Sequence, residues 1–148
     1  MSLTVVEAPV EAVYDLRRRV LRPGHPESDI AFEEDGWSGC FHLIAKDPGT
    51  VGIATFFPSP SEWAPGTDSW QLRGMAVDPV VQGQGVGRAL IQAAVDRLRA
   101  AQADVLWANV RDSAAGFYQR LGWEVVGDGF VTLTGLPHHV ALFPLKDG

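Results

Sequence analysis

The stretch Val77-Asp78-Pro79-Val80-Val81-Gln82-Gly83-Gln84-Gly85-Val86-Gly87-Arg88 decides the fold, because it sets three glycines between two strongly patterned segments. Before it, Trp70-Gln71-Leu72-Arg73-Gly74-Met75-Ala76-Val77 reads as a strand, with Gly74 marking a bulge or a close backbone approach. After it, Val86, Leu90, Ile91, Ala94, Val95, Leu98 and Ala101 fall on one half of a helical wheel, with Arg88, Gln92, Asp96 and Arg99 opposite. That spacing predicts a helix over residues 85–102. Glycines at a strand-to-helix turn let bare backbone approach a ligand, and the helix start offers unpaired N–H groups and a partial positive charge. The loop therefore reads as a cradle for phosphate or pyrophosphate. It is not a Walker A loop, since Gly87 is followed by Arg88-Ala89 instead of Lys-Ser/Thr. Nor is it a dinucleotide fingerprint, which would need Gly at position 88 and a place after the first strand.

Working outward, residues 105–110 form another strand, and Asp112 or Ser113 is placed to cap a helix that stops at Leu121-Gly122, with Gly122 as the left-handed end. Strands near 124–131 and 140–145 close the chain. Toward the N-terminus, 41–45 and 51–57 are strands joined across Asp47-Pro48-Gly49, a hairpin by composition, and 58–68 is a Pro/Ser/Gly loop. Residues 3–7 read as a strand, and Pro9 opens a helix as its first helical residue, with Val10, Val13, Leu16 and Val20 on its apolar face. That helix ends at Arg22-Pro23-Gly24-His25-Pro26, and an acidic irregular segment follows, with a helical turn expected around Ile30-Ala31-Phe32. The order β-α-β-β-β-α-β-α-β-β needs parallel crossovers in its second half and antiparallel pairing elsewhere. The expected fold is α/β (α+β), one domain over residues 1–148 with a mixed central sheet.

Composition narrows the function. A chain of 148 residues with 46% hydrophobic and 20% charged residues is globular. Its net charge of −6 disfavours nucleic acid and anionic membranes as partners, so an anionic ligand must be held locally. Cys40 is the only cysteine, which excludes an internal disulfide and a cysteine metal cluster and suits the cytoplasm. No metal site is expected. No apolar run approaches a membrane span, and no secretory signal pattern opens the chain.

The segment Gln82-Gly83-Gln84-Gly85-Val86-Gly87 resembles the Q/R-x-x-G-x-G/A pyrophosphate loop of the GNAT N-acetyltransferases. Leu72-Arg73-Gly74-Met75-Ala76-Val77-Asp78-Pro79 before it supports the resemblance, as does Phe117-Tyr118-Gln119-Arg120-Leu121-Gly122-Trp123, which is similar to the family's F-Y-x-x-x-G-F segment. The likeness covers nearly the whole chain, with only an outline match over the first forty residues. It implies a sheet that splays where the pantetheine arm of acetyl-CoA enters, and a transferase that moves the acetyl group to an amine by direct attack in a ternary complex.

By this resemblance, the backbone of Met75, Ala76 and Val77 holds the arm, a bulge near Gly74 aims an N–H at the thioester carbonyl, and the amides of Gln82, Gly83, Gln84, Gly85, Val86, Gly87 and Arg88 hold the pyrophosphate. Met75 thereby joins the catalytic set. Tyr118 matches the tyrosine that protonates the departing thiolate. The family's pantetheine-binding Asn is replaced by Arg111, and Asn109 lies two residues earlier on the same strand face, so either serves. His138 and His139 are candidates for the base by their ordinary titration range, with a water chain as the alternative. Pro137-His138 also resembles a short element of some bacterial members.

Arg22 and His25 line the acceptor pocket by the same resemblance, and Trp63 and Trp70 flank the long loop as further walls. Arg17-Arg18-Arg19 reads as a solvated basic run, Glu33-Glu34-Asp35 as a surface loop or a lure for a cation, and Cys40 as a small buried hydrophobe. The acceptor is a small-molecule or peptide amine, and exposed C-terminal strands leave a homodimer open. Two rival readings are a non-catalytic acyl-CoA-binding regulatory module and another nucleotide-binding α/β domain.

Overall fold

The computed structural model describes residues 2–21, 30–132 and 135–146. Seven strands form one mixed, mostly antiparallel sheet in the order β1-β2-β3-β4-β5-β7-β6. They are β1 (Thr4–Ala8), β2 (Phe41–Lys46), β3 (Thr50–Pro58), β4 (Ser69–Val77), β5 (Val105–Arg111), β6 (Glu124–Val131) and β7 (Pro137–Pro144). The α-helices are α1 (Tyr14–Leu16), α2 (Val86–Ala100) and α3 (Ala115–Arg120). The chain divides into two compact units, Met1–Phe57 with Arg73–Arg97 and Pro58–Leu72 with Leu98–Gly148.

In the first unit, β1 pairs antiparallel with β2 and β2 with β3, the latter pair joined by the expected hairpin, in which the Asp47 N–H donates to the Gly49 carbonyl at 2.9 Å. Val13, Leu16, Ile44, Ile53 and Ala76 form a buried apolar cluster. The first turns of α2 seat on the hairpin because Gly52 has no side chain: a Cβ there would lie 2.5 Å from Val86 Cγ1. Residues 10–21 change pitch, from a 3₁₀ turn (Val10–Val13) through α1 to a π turn (Arg17–Leu21). Pro9 precedes this segment as its N-cap, one position earlier than the sequence suggests, and keeps an extended ψ of 162°. The expected turn at 30–32 falls instead at Glu33–Gly36, where the Asp35 carboxylate accepts from the Phe32 N–H at 2.9 Å. The helix end expected at 22–26 lies outside the described residues.

Arg17 is a correction to the solvated basic run: its side chain is fully buried. Its guanidinium makes two bonds to Asp35 (2.7 and 2.9 Å), donates to the Ile30 carbonyl and to Thr55 Oγ1 at 2.8 Å each, and lies 3.7 Å from the Phe32 ring centre. The acidic segment is likewise spent on arginines, since Glu34 pairs with Arg73. Burial raises the Asp35 pKa, but the bonds from Arg17 and the Phe32 N–H outweigh it and hold the carboxyl below its ordinary value. Thr55 Oγ1 accepts from Arg17 and lies 2.8 Å from His42 Nδ1, so one hydroxyl links the buried ion pair to the imidazole. Burial is the main cause that keeps the His42 pKa below its ordinary value. Cys40 is only partly buried, yet burial pushes its thiol up to about 11, so it is not a ready nucleophile.

In the second unit, β4 and β5 form a parallel ladder of three rungs, Ser69–Val105, Trp70–Leu106 and Gln71–Trp107. β5 pairs antiparallel with β7 over its whole length, and β7 with β6. The β6–β7 register shifts between Val126 and Phe130, and Gly127 and Gly129 both take left-handed φ, so this segment bulges out of the ladder. The last strand starts at Pro137, earlier than 140, which puts His138 and His139 inside it.

Truncating one partner of a buried ion pair leaves the other charge uncompensated, so Arg17→Ala lowers unfolding stability by about 3–5 kcal/mol in urea titration. An unchanged midpoint would show that Asp35 finds water instead. For His42, the folded state favours the neutral ring, so its stabilising contribution is present above the unfolded-state pKa and is lost as pH falls through the lowered folded value. Scanning calorimetry from roughly pH 7.5 to roughly pH 5 therefore gives a falling Tm, and His42→Gln flattens that fall.

Candidate active site

The end of β4 passes into the glycine loop through a tight turn. The Asp78 N–H donates to the Val51 carbonyl at 2.8 Å, and its carboxylate accepts from the Val80 N–H at 3.0 Å, with Pro79 leading the 3₁₀ turn Pro79–Val81. Gly83 (φ 81°) and Gly85 (φ 85°) then take conformations that L side chains rarely adopt, and a Cβ at either would meet nothing within 4 Å. The first intrahelical bond of α2 runs from the Ala89 N–H to the Gly85 carbonyl at 3.0 Å. The amides of Gly85, Val86, Gly87 and Arg88 thus precede the helical ladder, and no acidic residue occupies the first turn. Open space, free amides and a positive dipole end fit a pyrophosphate. Gln82, Gly83, Gln84 and the Arg88 side chain are exposed, whereas Val86 is buried and anchors the helix start.

Within β4, Gly74 has φ 69° and the Phe32 ring lies against it, so a Cβ would come within 2.7 Å of Phe32 Cε2. This is the conformation and crowding that a glycine bulge needs. Ala76 belongs to the buried cluster, while Met75 and Val77 are half-buried on the alternate face.

In the second unit, Tyr118 is buried on α3 with its ring edge-on to Phe117 and Trp123, each at 5.1 Å. Trp123 packs in turn on Phe143 at 5.8 Å. Gly122 ends the helix with φ 93° as the sequence suggests, and the Trp123 N–H returns to the Tyr118 carbonyl at 3.1 Å. Burial alone pushes the Tyr118 hydroxyl up to about 12, so it stays protonated at neutral pH and keeps a proton to give.

Neither Asp112 nor Ser113 caps α3: the N-terminal caps here carry no side-chain bond, and the Asp112 carboxylate instead lies 2.6 Å from His139 Nδ1. His138 Nδ1 lies 2.9 Å from the Leu136 carbonyl. A carbonyl only accepts, so Nδ1 carries a hydrogen, and in the neutral ring the lone pair is then on Nε2. Strand alternation puts His138 on the face of β7 that carries Val140, and His139 on the other, with Ala141 and Phe143. Opposite them on β5, Asn109 pairs with Val140 and Arg111 with His138, both exposed.

That face opens into a cavity of about 580 Å³, lined by Trp63, Trp107, Phe130, Val126, Val140 and Asn109 among others. Of the two tryptophans that flank the long loop, Trp63 lines this cavity and Trp70 does not. Sequence reading misses Trp107 and Phe130. The available signal was Gly127 and Gly129, two glycines inside a strand pattern, which mark a bulge where a surface turns outward. Arg22 and His25, expected beside an acceptor, lie outside the described residues.

In the first unit a loop of helix-start amides fits the phosphates of a carrier, and in the second unit Tyr118 is a buried, protonated phenol. The model of the Acetyltransferase (GNAT) family matches residues 10–123, and the chain belongs to this family. It is 32% identical over 142 residues to the uncharacterized N-acetyltransferase YitI of Bacillus subtilis, covering 95% of each chain. Its fold is similar to that of an aminoglycoside 6′-N-acetyltransferase complexed with coenzyme A (TM-score 0.79, 14% identity, 98% of each chain). It is also similar to that of the ribosomal-protein-S18-alanine N-acetyltransferase from Escherichia coli (TM-score 0.71, 20% identity, 99% of this chain and 96% of that one). The protein is an N-acetyltransferase that uses acetyl-CoA and acts on an amine. No helix among the described residues is long and apolar enough to cross a membrane.

An alanine at Gly85 must hold a left-handed φ, which costs about 1–2 kcal/mol, and its methyl intrudes where a phosphate oxygen would sit. Gly85→Ala should weaken acetyl-CoA binding at least tenfold by calorimetry while the protein still melts cooperatively. Full affinity in that variant would move the pyrophosphate site elsewhere.

Proposed function

We propose that residues 1–148 act as one acetyltransferase domain that transfers the acetyl group by direct attack of the amine, without an acyl-enzyme. The observation that carries this reading is the set of free amides of Gly85, Val86, Gly87 and Arg88 behind the left-handed Gly83 and Gly85. These amides, with those of Gln82, Gly83 and Gln84, hold the pyrophosphate, and Arg88 adds charge. Backbone groups of Met75, Ala76 and Val77 bind the pantetheine arm, and the strand N–H beside Gly74 polarises the acyl carbonyl. Acetyl-CoA, when bound, supplies the activated thioester.

His138 takes the amine proton at Nε2, the atom left with a lone pair by the bond to Leu136. Tyr118 gives its Oη proton to the leaving sulfur, and its raised pKa keeps that proton in place until it is needed. His139 is the weaker candidate, because its Nδ1 is tied to Asp112 on the other face of β7. Asn109 and Arg111 remain alternatives for a contact to the pantetheine. A single cysteine suits a cytoplasmic reaction, and the exposed Val131 on β6 suits a homodimer contact.

Tyr118→Phe keeps the buried ring and removes only the hydroxyl, so acetyl-CoA affinity is retained and kcat falls at least tenfold in a thiol-release assay. His138→Gln should lower kcat in the same assay. Unchanged turnover in either variant would remove that residue from the mechanism.

A further inference from the structure

We propose that the cavity in the second unit is an acceptor subsite selective for a monoamine carried on an aromatic or similarly apolar body. This rests on the acetyltransferase reading above and deepens it. At about 580 Å³ the cavity has the size of a small-molecule site. Its walls are the indoles of Trp63 and Trp107, the Phe130 ring, and Val126 and Val140. Its charged lining is of one sign only: Glu62 and Asp128 are carboxylates, and no basic side chain lines it among the described residues.

The walls are built in advance. Trp107 Nε1 donates to the Ser59 carbonyl at 2.9 Å, which ties the β5 wall to the 58–68 loop. The loop is closed on itself by Ser59 N–H to the Ser69 carbonyl (3.0 Å), Thr67 Oγ1 against Ser69 Oγ (2.6 Å) and Trp63 N–H to Ser61 Oγ (3.2 Å). The Trp63 indole lies on the backbone of Gly127, where any Cβ would come within 2.7 Å of it, so the β6 bulge is what admits this wall. Phe130 continues the surface to His138, on which it stacks at 5.7 Å. The candidate base is thus continuous with the aromatic wall.

Aromatic faces and carboxylates both favour an organic cation, and apolar walls reward a body that sheds water. A polyamine or an aminosugar fits worse, because most of its polar groups would face Trp107, Val126 and Val140 without partners. The amine binds as the ammonium and loses its proton next to His138 before attack.

The test is calorimetric titration of the full chain with 4-phenylbutylamine, its neutral counterpart 4-phenylbutanol, and spermidine, repeated with Trp63→Ala and with Asp128→Asn. Both positions are exposed, so the fold is checked simply by an unchanged melting curve. The proposal expects phenylbutylamine to bind at least tenfold tighter than the alcohol and than spermidine. It also expects Trp63→Ala to lose at least tenfold and Asp128→Asn about threefold or more. Equal binding of amine and alcohol, tighter binding of spermidine, or full affinity in both variants would overturn it. Acetyl-CoA binding is measured in parallel: its failure with amine binding intact would sink the acetyltransferase reading alone. Transfer to spermidine or a peptide amine without phenylbutylamine binding would sink the subsite alone.

Discussion

A helix that begins without a side-chain cap leaves its first amides to be satisfied from outside the helix, and α2 begins in this way. Gly85 closes the first turn through its carbonyl, and the four amides from Gly85 to Arg88 precede the helical ladder beside the left-handed Gly83 and Gly85, where an added Cβ would meet nothing within 4 Å. A protein of net charge −6 has no general attraction for phosphate, so an anionic cofactor such as coenzyme A needs a local feature of this kind. The rest of the first unit holds this geometry in place. Gly52 lets Val86 seat at 2.5 Å from where a Cβ would stand, and the Asp78 N–H fastens the loop's entry to the hairpin at Val51.

The same unit carries a polar network that is unusual for a core. Arg17 is wholly buried yet has Asp35, the Ile30 carbonyl, Thr55 and the Phe32 ring as partners. Phe32 is shared, since Arg73 also stands 4.0 Å from its ring centre, and Phe32 is the group that presses on Gly74. A chain of contacts thus runs from a buried ion pair to the left-handed residue in β4 beside the expected thioester position. Arg17 is thereby tied, through Phe32, to the conformation of β4 at Gly74.

Most of the fold was legible because its signals are local and periodic. The hairpin across Asp47-Pro48-Gly49, the amphipathic helix after the glycines and the stop at Gly122 all stand where pattern and turn chemistry put them. The strand-to-helix turn was legible from letters alone, because φ values of 81° and 85° favour glycine. Features that depend on partners distant in sequence were not. Arg17 read as solvated because Arg18 and Arg19 follow it, although it shares the i, i+3, i+4, i+7 stripe of Val13, Leu16 and Val20; its partner Asp35 is eighteen residues away. Asp112 read as a cap but turns to His139, 27 residues on. The aromatic cavity assembles from three separate strands and a loop, so no window of sequence displays it. His138 was a candidate from its residue type alone, and the contact of its Nδ1 with the Leu136 carbonyl is not readable from the letters.

The most direct test of the account is calorimetric titration with acetyl-CoA, with ATP and NAD as controls, on protein shown by native mass spectrometry to carry no coenzyme. The account predicts micromolar binding of acetyl-CoA and none of comparable strength for either nucleotide. Folded, empty protein that fails to bind acetyl-CoA, or that binds ATP or NAD equally well, would contradict the assignment of residues 82–88 as a coenzyme A cradle.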